Sequence, residues 1–278
     1  MSDDTLPTLT WIEATHGDPA LSRLWEYLRG EVEGLARGRA RIEFVHLPLA
    51  SGGIRTAANR LLNDAAVLAA AVGAADRSDA VVIGCWGAPT EAVRSALNRP
   101  DRPVAVSSLP DASVRLVGSL ARRAVAVTVS PALIPIFADD LRRMGATGFH
   151  ESRPVRAYDP ESTHGDVLAA LDDPEPLIAR FDAEAQRAVD DGADAVVVGC
   201  GYLAPIFTRA GYTSVRGRPD VPVIDCGRAA MEHGLMLLEL QGGGITAAPR
   251  GYGAPRGGQE TALRAALGRL GRTGQEKP

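Results

Sequence analysis

At 278 residues, 45% of them hydrophobic, the chain is long enough for two α/β lobes or one large domain with a filled core. Its net charge of −4, with arginines interspersed among Asp and Glu, argues against a nucleic-acid partner. The single lysine, Lys277, stands one residue from the C-terminus, which removes both a pyridoxal phosphate Schiff base and a GxxxxGK phosphate loop from the body of the chain.

The opening "SDDTLPTLT" has no basic or apolar signal region, and the Ala-rich run Leu61 to Ala75 is broken by Asn63, Asp64 and Gly73. A cytoplasmic protein without a membrane span is expected. There is no GxGxxG, HExxH or GxSxG, and His16, His46, His150, His164 and His233 lack the i, i+4 spacing of a helical metal site. No cofactor and no metal are expected. Cys85, Cys200 and Cys226 fit neither a disulfide framework nor a CxxC clamp, so they are read as thiols.

In chain order, helical stretches are predicted over Leu21–Leu35, Thr56–Val72, Glu91–Leu97, Ile134–Met144, Pro176–Asp190 and Arg228–Leu240. Between them lie short β-branched runs, "AVVIG", "VAVSS", "VAVTV", "AVVVG" and "VPVID", with the continuous apolar character of parallel strands buried on both faces. From residue 241 the chain becomes Gly- and Pro-rich, then ends in a short helical run, "ETALRAALGRL".

One phrase occurs twice. "DAVVIGC" ends at Cys85 and "DAVVVGC" at Cys200, an offset of 200 − 85 = 115. Upstream, Leu9–Gly30 lines up with Ala124–Gly145 at the same offset; downstream, "PDRPVAV" from Pro100 lines up with "PDVPVID" from Pro219 at 119. Three segments in the same order imply an internal duplication. The expected fold class is therefore α/β, with two pseudo-symmetric lobes, each a parallel sheet flanked by helices. Residues 1–108 and 226–240 would make the first lobe, 109–225 the second, and 241–278 a tail. Ligands of open α/β sheets bind at the C-terminal strand ends, so an interlobe cleft with Cys85 and Cys200 at the last residue of their strands is the expected active site.

Two opposed thiols suit one chemistry. A thiolate removes a proton beside a carbonyl while a thiol returns one to the other face, with the sulfurs about 6–7 Å apart. Two thiolates in one cleft would repel, so the working pair would share one proton. Gly87 and Gly201 would let backbone amides approach the substrate carbonyl. Trp86 and Tyr202 would line the cleft, with ordinary packing as the competing explanation. Thr15, His16 and Ser130 are candidate polar contacts, although helix capping explains a hydroxyl there equally well. Cys226 is read as a small buried hydrophobe.

"VVIGCWGAP", "GADAVVVGCGYLAP" and "VPVIDCGRAA" resemble the Asp/Glu/hydantoin racemase superfamily, and its hydantoin racemase branch in particular. The resemblance spans most of residues 9–240. It implies a cofactor-independent racemase using Cys85 and Cys200 as its acid/base pair on a small molecule, and assembly as a homo-oligomer. The usual Asn-Pro-Asn near the first strand end is replaced by "EATHGDP", and neither cysteine is followed by the Asn-Thr or Thr-His pair of the glutamate racemase branch. These departures favour a hydantoin-like, carbonyl-activated substrate over a free acidic amino acid. The competing functions are cis-trans isomerisation of an unsaturated diacid, decarboxylation, and non-enzymatic ligand binding. No arginine stands beside either cysteine to receive a diacid.

Overall fold

A computed structural model describes residues 6–49 and 53–273; Lys277 lies outside them. In chain order the elements are β1 (Thr8–Glu13), α1 (Ser22–Ala36), β2 (Arg41–His46), α2 (Ala57–Ala74), β3 (Ala80–Ile83), α3 (Thr90–Leu97), β4 (Ala105–Ser108), α4 (Leu109–Leu120), β5 (Ala124–Thr128) and α5 (Ile134–Arg143). There follow β6 (Val155–Ala157), α6 (His164–Ala169), α7 (Glu175–Asp190), β7 (Ala195–Val198), α8 (Leu203–Arg209), β8 (Ser214–Val215), β9 (Arg218–Asp225), α9 (Cys226–Gly242) and α10 (Gly258–Thr273). The chain divides into two compact units. The first holds residues up to Asp18, Arg29–Ser108 and Ala230 onward; the second holds Pro19–Leu28 and Leu109–Ala229.

The first unit carries a parallel sheet in the order β2-β1-β3-β4. Every residue of β3 is fully buried, as its uninterrupted Ala-Val-Val-Ile run requires of a strand covered on both faces. α2 starts where the Thr56 side chain accepts a hydrogen bond from the Asn59 backbone N–H, and it buries Asn63, Ala66, Val67, Ala71 and Ala74 at helical spacing. α9 lies close over the sheet because Gly234 has no side chain: a Cβ there would stand 2.7 Å from Val82 Cγ2. The Gly- and Pro-rich tail is not featureless. Tyr252 O accepts from the Asn98 side chain and Gly253 O from Ser95 Oγ, and α10 then packs on α2.

The second unit repeats the order as β6-β5-β7-β9, with β8 added antiparallel on the β9 edge. α7 buries Leu177, Ile178, Phe181, Ala185 and Ala188. Phe181, Phe207 and Tyr212 meet nearly perpendicular, with ring centroids 5.2–5.9 Å apart. The Tyr212 hydroxyl donates to Asp182 Oδ1 at 2.7 Å, and the Arg216 backbone N–H donates to the same oxygen at 3.0 Å. Burial and then the Asp182 carboxylate push the Tyr212 phenol well above its usual range, so it remains a donor. Tyr212→Phe is expected to cost about 1.5–3 kcal/mol, because a buried carboxylate loses a hydrogen bond. Urea denaturation of the variant checks it.

Strand pairing bears on the duplication. Leu9 pairs with Ala80 as Ala124 pairs with Ala195, so these strands repeat at 115. The first helices repeat at a different offset: the two "PAL" segments each form a 3-10 turn, Pro19–Leu21 and Pro131–Leu133, at 131 − 19 = 112, because the second strand-to-turn connection is three residues shorter. Val81 faces Val106 and Val196 faces Val223, which puts the last repeated strand at 223 − 106 = 117 rather than 119.

Candidate active site

The repeated phrase has a structural purpose at nearly every letter. Its aspartates tie down the start of the neighbouring strand: Asp79 Oδ2 accepts from the Thr8 backbone N–H at 2.8 Å, and Asp194 accepts from Arg122 and Arg123 at 2.9 and 2.8 Å. Its apolar letters are β3 and β7, both wholly buried. Its glycines extend the ladder by one bond, Gly84 N–H to Ile12 O and Gly199 N–H to Val127 O, each 2.8 Å. Neither tolerates a side chain. A Cβ on Gly84 would stand 2.6 Å from Trp11 Nε1, and one on Gly199 would stand 3.0 Å from the Val127 carbonyl oxygen. The cysteines follow directly after these last ladder-bonded residues.

The cysteines are not the last residues of their strands, as the sequence suggested. β3 ends at Ile83 and β7 at Val198, and the glycine step carries each thiol two residues further out, before a turn. Both are half-buried and in no disulfide. Their settings differ. The Cys200 carbonyl accepts from Ala204 N–H, so Cys200 opens the first turn of α8, whereas α3 begins five residues after Cys85. A helix-terminal aid to thiolate formation is thus adjacent at Cys200 and more remote at Cys85.

In the first unit, Thr15, Cys85, Trp86 and Gly87 gather past the C-terminal ends of the adjacent strands β1 and β3. Cys85 packs against the apolar cluster of Ile12, Ile83 and Val93. Trp86 is 1% exposed, which fits packing, while His16 is exposed. The Thr15 carbonyl accepts from Leu47 N–H at 2.7 Å, but its Oγ1 is buried and has no hydrogen-bond partner among the described residues. Gly17, at φ +57°, turns the loop against His46; a Cβ there would stand 2.9 Å from the imidazole Cγ. Burial, followed by Arg29, lowers the His46 pKa and favours the neutral ring.

In the second unit, Ser130, Cys200, Gly201 and Tyr202 gather past β5 and β7. Ser130 is fully buried, and its Oγ caps the following turn by accepting from Ala132 N–H. Tyr202 is half-buried, its ring edge-on to Trp25 at 5.8 Å and tilted to His164 at 6.2 Å. His164 opens α6, whose capping box joins Thr163 to Asp166. The backbone N–H and hydroxyl of Thr163, with Arg180, hold the Asp166 carboxyl down to about 2. A depressed carboxylate contributes stability above its unfolded pKa near 4 and loses it as pH falls through about 2. Asp166→Asn is therefore expected to melt earlier than the parent at pH 6 and alongside it at pH 2, in thermal scans across that range.

Three residues of these edges, Glu13, Thr128 and Tyr158, were not among the candidate site residues, and Cys226 is buried as the sequence reading expected. Glu13 is 2% exposed at the end of β1, and Thr128 occupies the corresponding end of β5, its hydroxyl donating to Gly199 O at 3.4 Å. Tyr158, 2% exposed, follows β6 and hydrogen-bonds the Ser162 hydroxyl at 2.8 Å; burial above all, with Cys200 adding to it, raises its phenol pKa. Cys226 is fully buried as the first residue of α9, capped by Asp225, whose Oδ1 accepts from Arg228 N–H. Glu13 and Thr128 were visible as polar residues closing apolar runs. Tyr158 and His46 were not, since β6 and β2 carry no apolar run.

A family model described as Asp/Glu/Hydantoin racemase matches residues 26–234. Among solved structures, allantoin racemase from Pseudomonas fluorescens superposes with a TM-score of 0.73 at 21% identity, covering 90% of this chain and 97% of the other. Allantoin racemase from Klebsiella pneumoniae gives 0.71 at 21%, covering 92% and 98%. Maleate isomerase from Pseudomonas putida S16 gives 0.55 at 16%, covering 85% and 94%. At these identities the likeness concerns the fold. The comparison with curated proteins gave no match.

Proposed function

Within the Asp/Glu/hydantoin racemase family, to which this chain belongs, we propose a cofactor-independent racemase that moves an α-proton between Cys85 and Cys200. The observation that carries the reading is the repeated phrase itself: its aspartate, apolar residues and glycine do matching structural work in both copies, and in each a cysteine follows them just past the strand end. Each cysteine stands half-buried beyond its strand end rather than fully enclosed in the core. A pair of thiols sharing one proton is the form a two-base racemase needs, one as thiolate base and one as acid.

The substrate class we propose is a hydantoin or related cyclic amide, whose ring carbonyl acidifies the reacting carbon. Thr15 Oγ1, without a partner among the described residues, would donate to such a carbonyl or accept from a ring N–H. Allantoin, a hydantoin with a ureido substituent, is the first compound to try, since the allantoin racemases share the fold. Oligomer formation belongs to the same proposal, and light scattering measures it.

The test is proton NMR in deuterium oxide on enantiopure allantoin, 5-substituted hydantoins and free amino acids. α-Proton exchange with racemisation of a hydantoin supports the proposal. Turnover of maleate or a malonate with no exchange on any hydantoin replaces it with the isomerase or decarboxylase reading.

A further inference from the structure

Cys226 has no place in the proton transfer just proposed, yet it lies against one of the two residues that do. The pairing of β7 with β9 sets Val198 opposite Asp225, so Cys200 is two residues and Cys226 one residue beyond a matched pair on adjacent strands. Both follow closely on the paired ends of adjacent strands, Cys200 opening α8 and Cys226 opening α9, which places them in one another's neighbourhood, as a disulfide requires. The Cys200 backbone N–H donates to the Cys226 sulfur, which brings that sulfur to the foot of the Cys200 side chain. Cys200 is half-buried and Cys226 is completely enclosed.

We infer that Cys200 and Cys226 form an oxidative modification site for hydroperoxides, with Cys200 as the attacked thiolate and Cys226 as the thiol that resolves it. The inference rests on the reading of Cys200 as a working thiolate. The Cys200 thiolate attacks the outer oxygen of the hydroperoxide; an S–O bond forms, the O–O bond breaks, and the alcohol or water leaves with a proton from solvent. Cys226 then attacks the sulfenic sulfur. An S–S bond forms, the S–O bond breaks, and the departing hydroxide takes the Cys226 proton as water. Two thiols are oxidised by two electrons and one hydroperoxide is reduced. The product lacks the Cys200 acid/base group, so it is inactive until a thiol reductant reopens it, and Cys200 is kept from the irreversible sulfinic and sulfonic acids.

Burial, then Asp225 and Cys200, push the Cys226 pKa well up, so it stays a thiol and is not the first sulfur attacked. That asymmetry sets the order of the two steps.

The full-length protein is treated with hydrogen peroxide, and part is then reduced with dithiothreitol. Both parts are digested with trypsin for mass spectrometry, alongside Cys226→Ala and Cys200→Ala variants checked for folding by circular dichroism. The expected product in the unreduced parent is a cross-link between Ala188–Arg209 and Gly217–Arg228, the peptides carrying Cys200 and Cys226. In Cys226→Ala the link is absent and Cys200 accumulates as sulfinic and sulfonic acid, with at least about tenfold less activity recovered on reduction. In Cys200→Ala, Cys226 stays reduced. Oxidation of Cys200 without the link, a link to Cys85 instead, or equal recovery in Cys226→Ala overturns the inference. The peptide readout needs no substrate, so it stands even if the racemase proposal fails.

Discussion

Replacing either Cys85 or Cys200 with serine is expected to lower racemisation by about 10²–10⁴-fold, the range that general acid–base groups supply. Serine keeps the approximate size and the hydrogen-bonding capacity of the thiol but cannot ionise near neutral pH, so it serves as neither base nor matched acid. Folding should be untouched, because neither sulfur is a fully buried part of a core. The double variant should be no worse than the poorer single one, since each alone already breaks the transfer. Chiral chromatography of product from each enantiomer gives the rates. Full activity in either single variant would remove that residue from the chemistry.

Gly84→Ala is expected to damage stability and activity together. The added methyl would lie 2.6–2.7 Å from three atoms of the Trp11 ring, and Trp11, 4% exposed on β1, has nowhere to retreat. Overpacking of this kind costs about 1–3 kcal/mol. Relief by displacing the chain would move Cys85, the next residue, and a shift near 1 Å at a reacting group costs about 100-fold in rate. Gly199→Ala tests the same logic on the other copy against a backbone oxygen, which is held by the β5–β7 ladder and yields less readily than a side-chain tip. Thermal melts and racemisation assays on both variants would show a lowered Tm with a lowered rate. A variant that is destabilised yet fully active would separate the glycine from the site.

The duplication was legible because buried parallel strands repeat as unbroken apolar runs, and β3 and β7 needed no other signal. The helices along them were visible from periodicity; Thr56 stands where the reading placed the start of α2, and its side chain caps that helix. The edges were harder. β2, "RIEFVH", is half-buried and mixes charge with apolar residues, β6 has three residues, and α6 and α8 are too short for a period to register. The thiols were found by recurrence but read as the last residues of their strands, whereas each strand stops two residues earlier and only the intervening glycine adds a further ladder bond. Ser130 illustrates the opposite limit: a hydroxyl after a strand and before Pro-Ala-Leu looks the same whether it meets a ligand or, as here, caps a turn. Nothing in the spacing of Cys226 announced its neighbour, because that contact depends on the register of β9 against β7.

The division of the chain also governs the order in which a ribosome can deliver it. The second unit is complete once Ala229 has emerged, whereas the first still lacks Ala230 onward, including the Gly234 turn of α9 that covers Leu9, Val82 and Ser107. The half that is synthesised first is therefore finished last. Until α9 and the residues that follow it leave the exit tunnel, that sheet waits with one apolar face uncovered, the interval in which a nascent chain is most open to chaperone capture or aggregation.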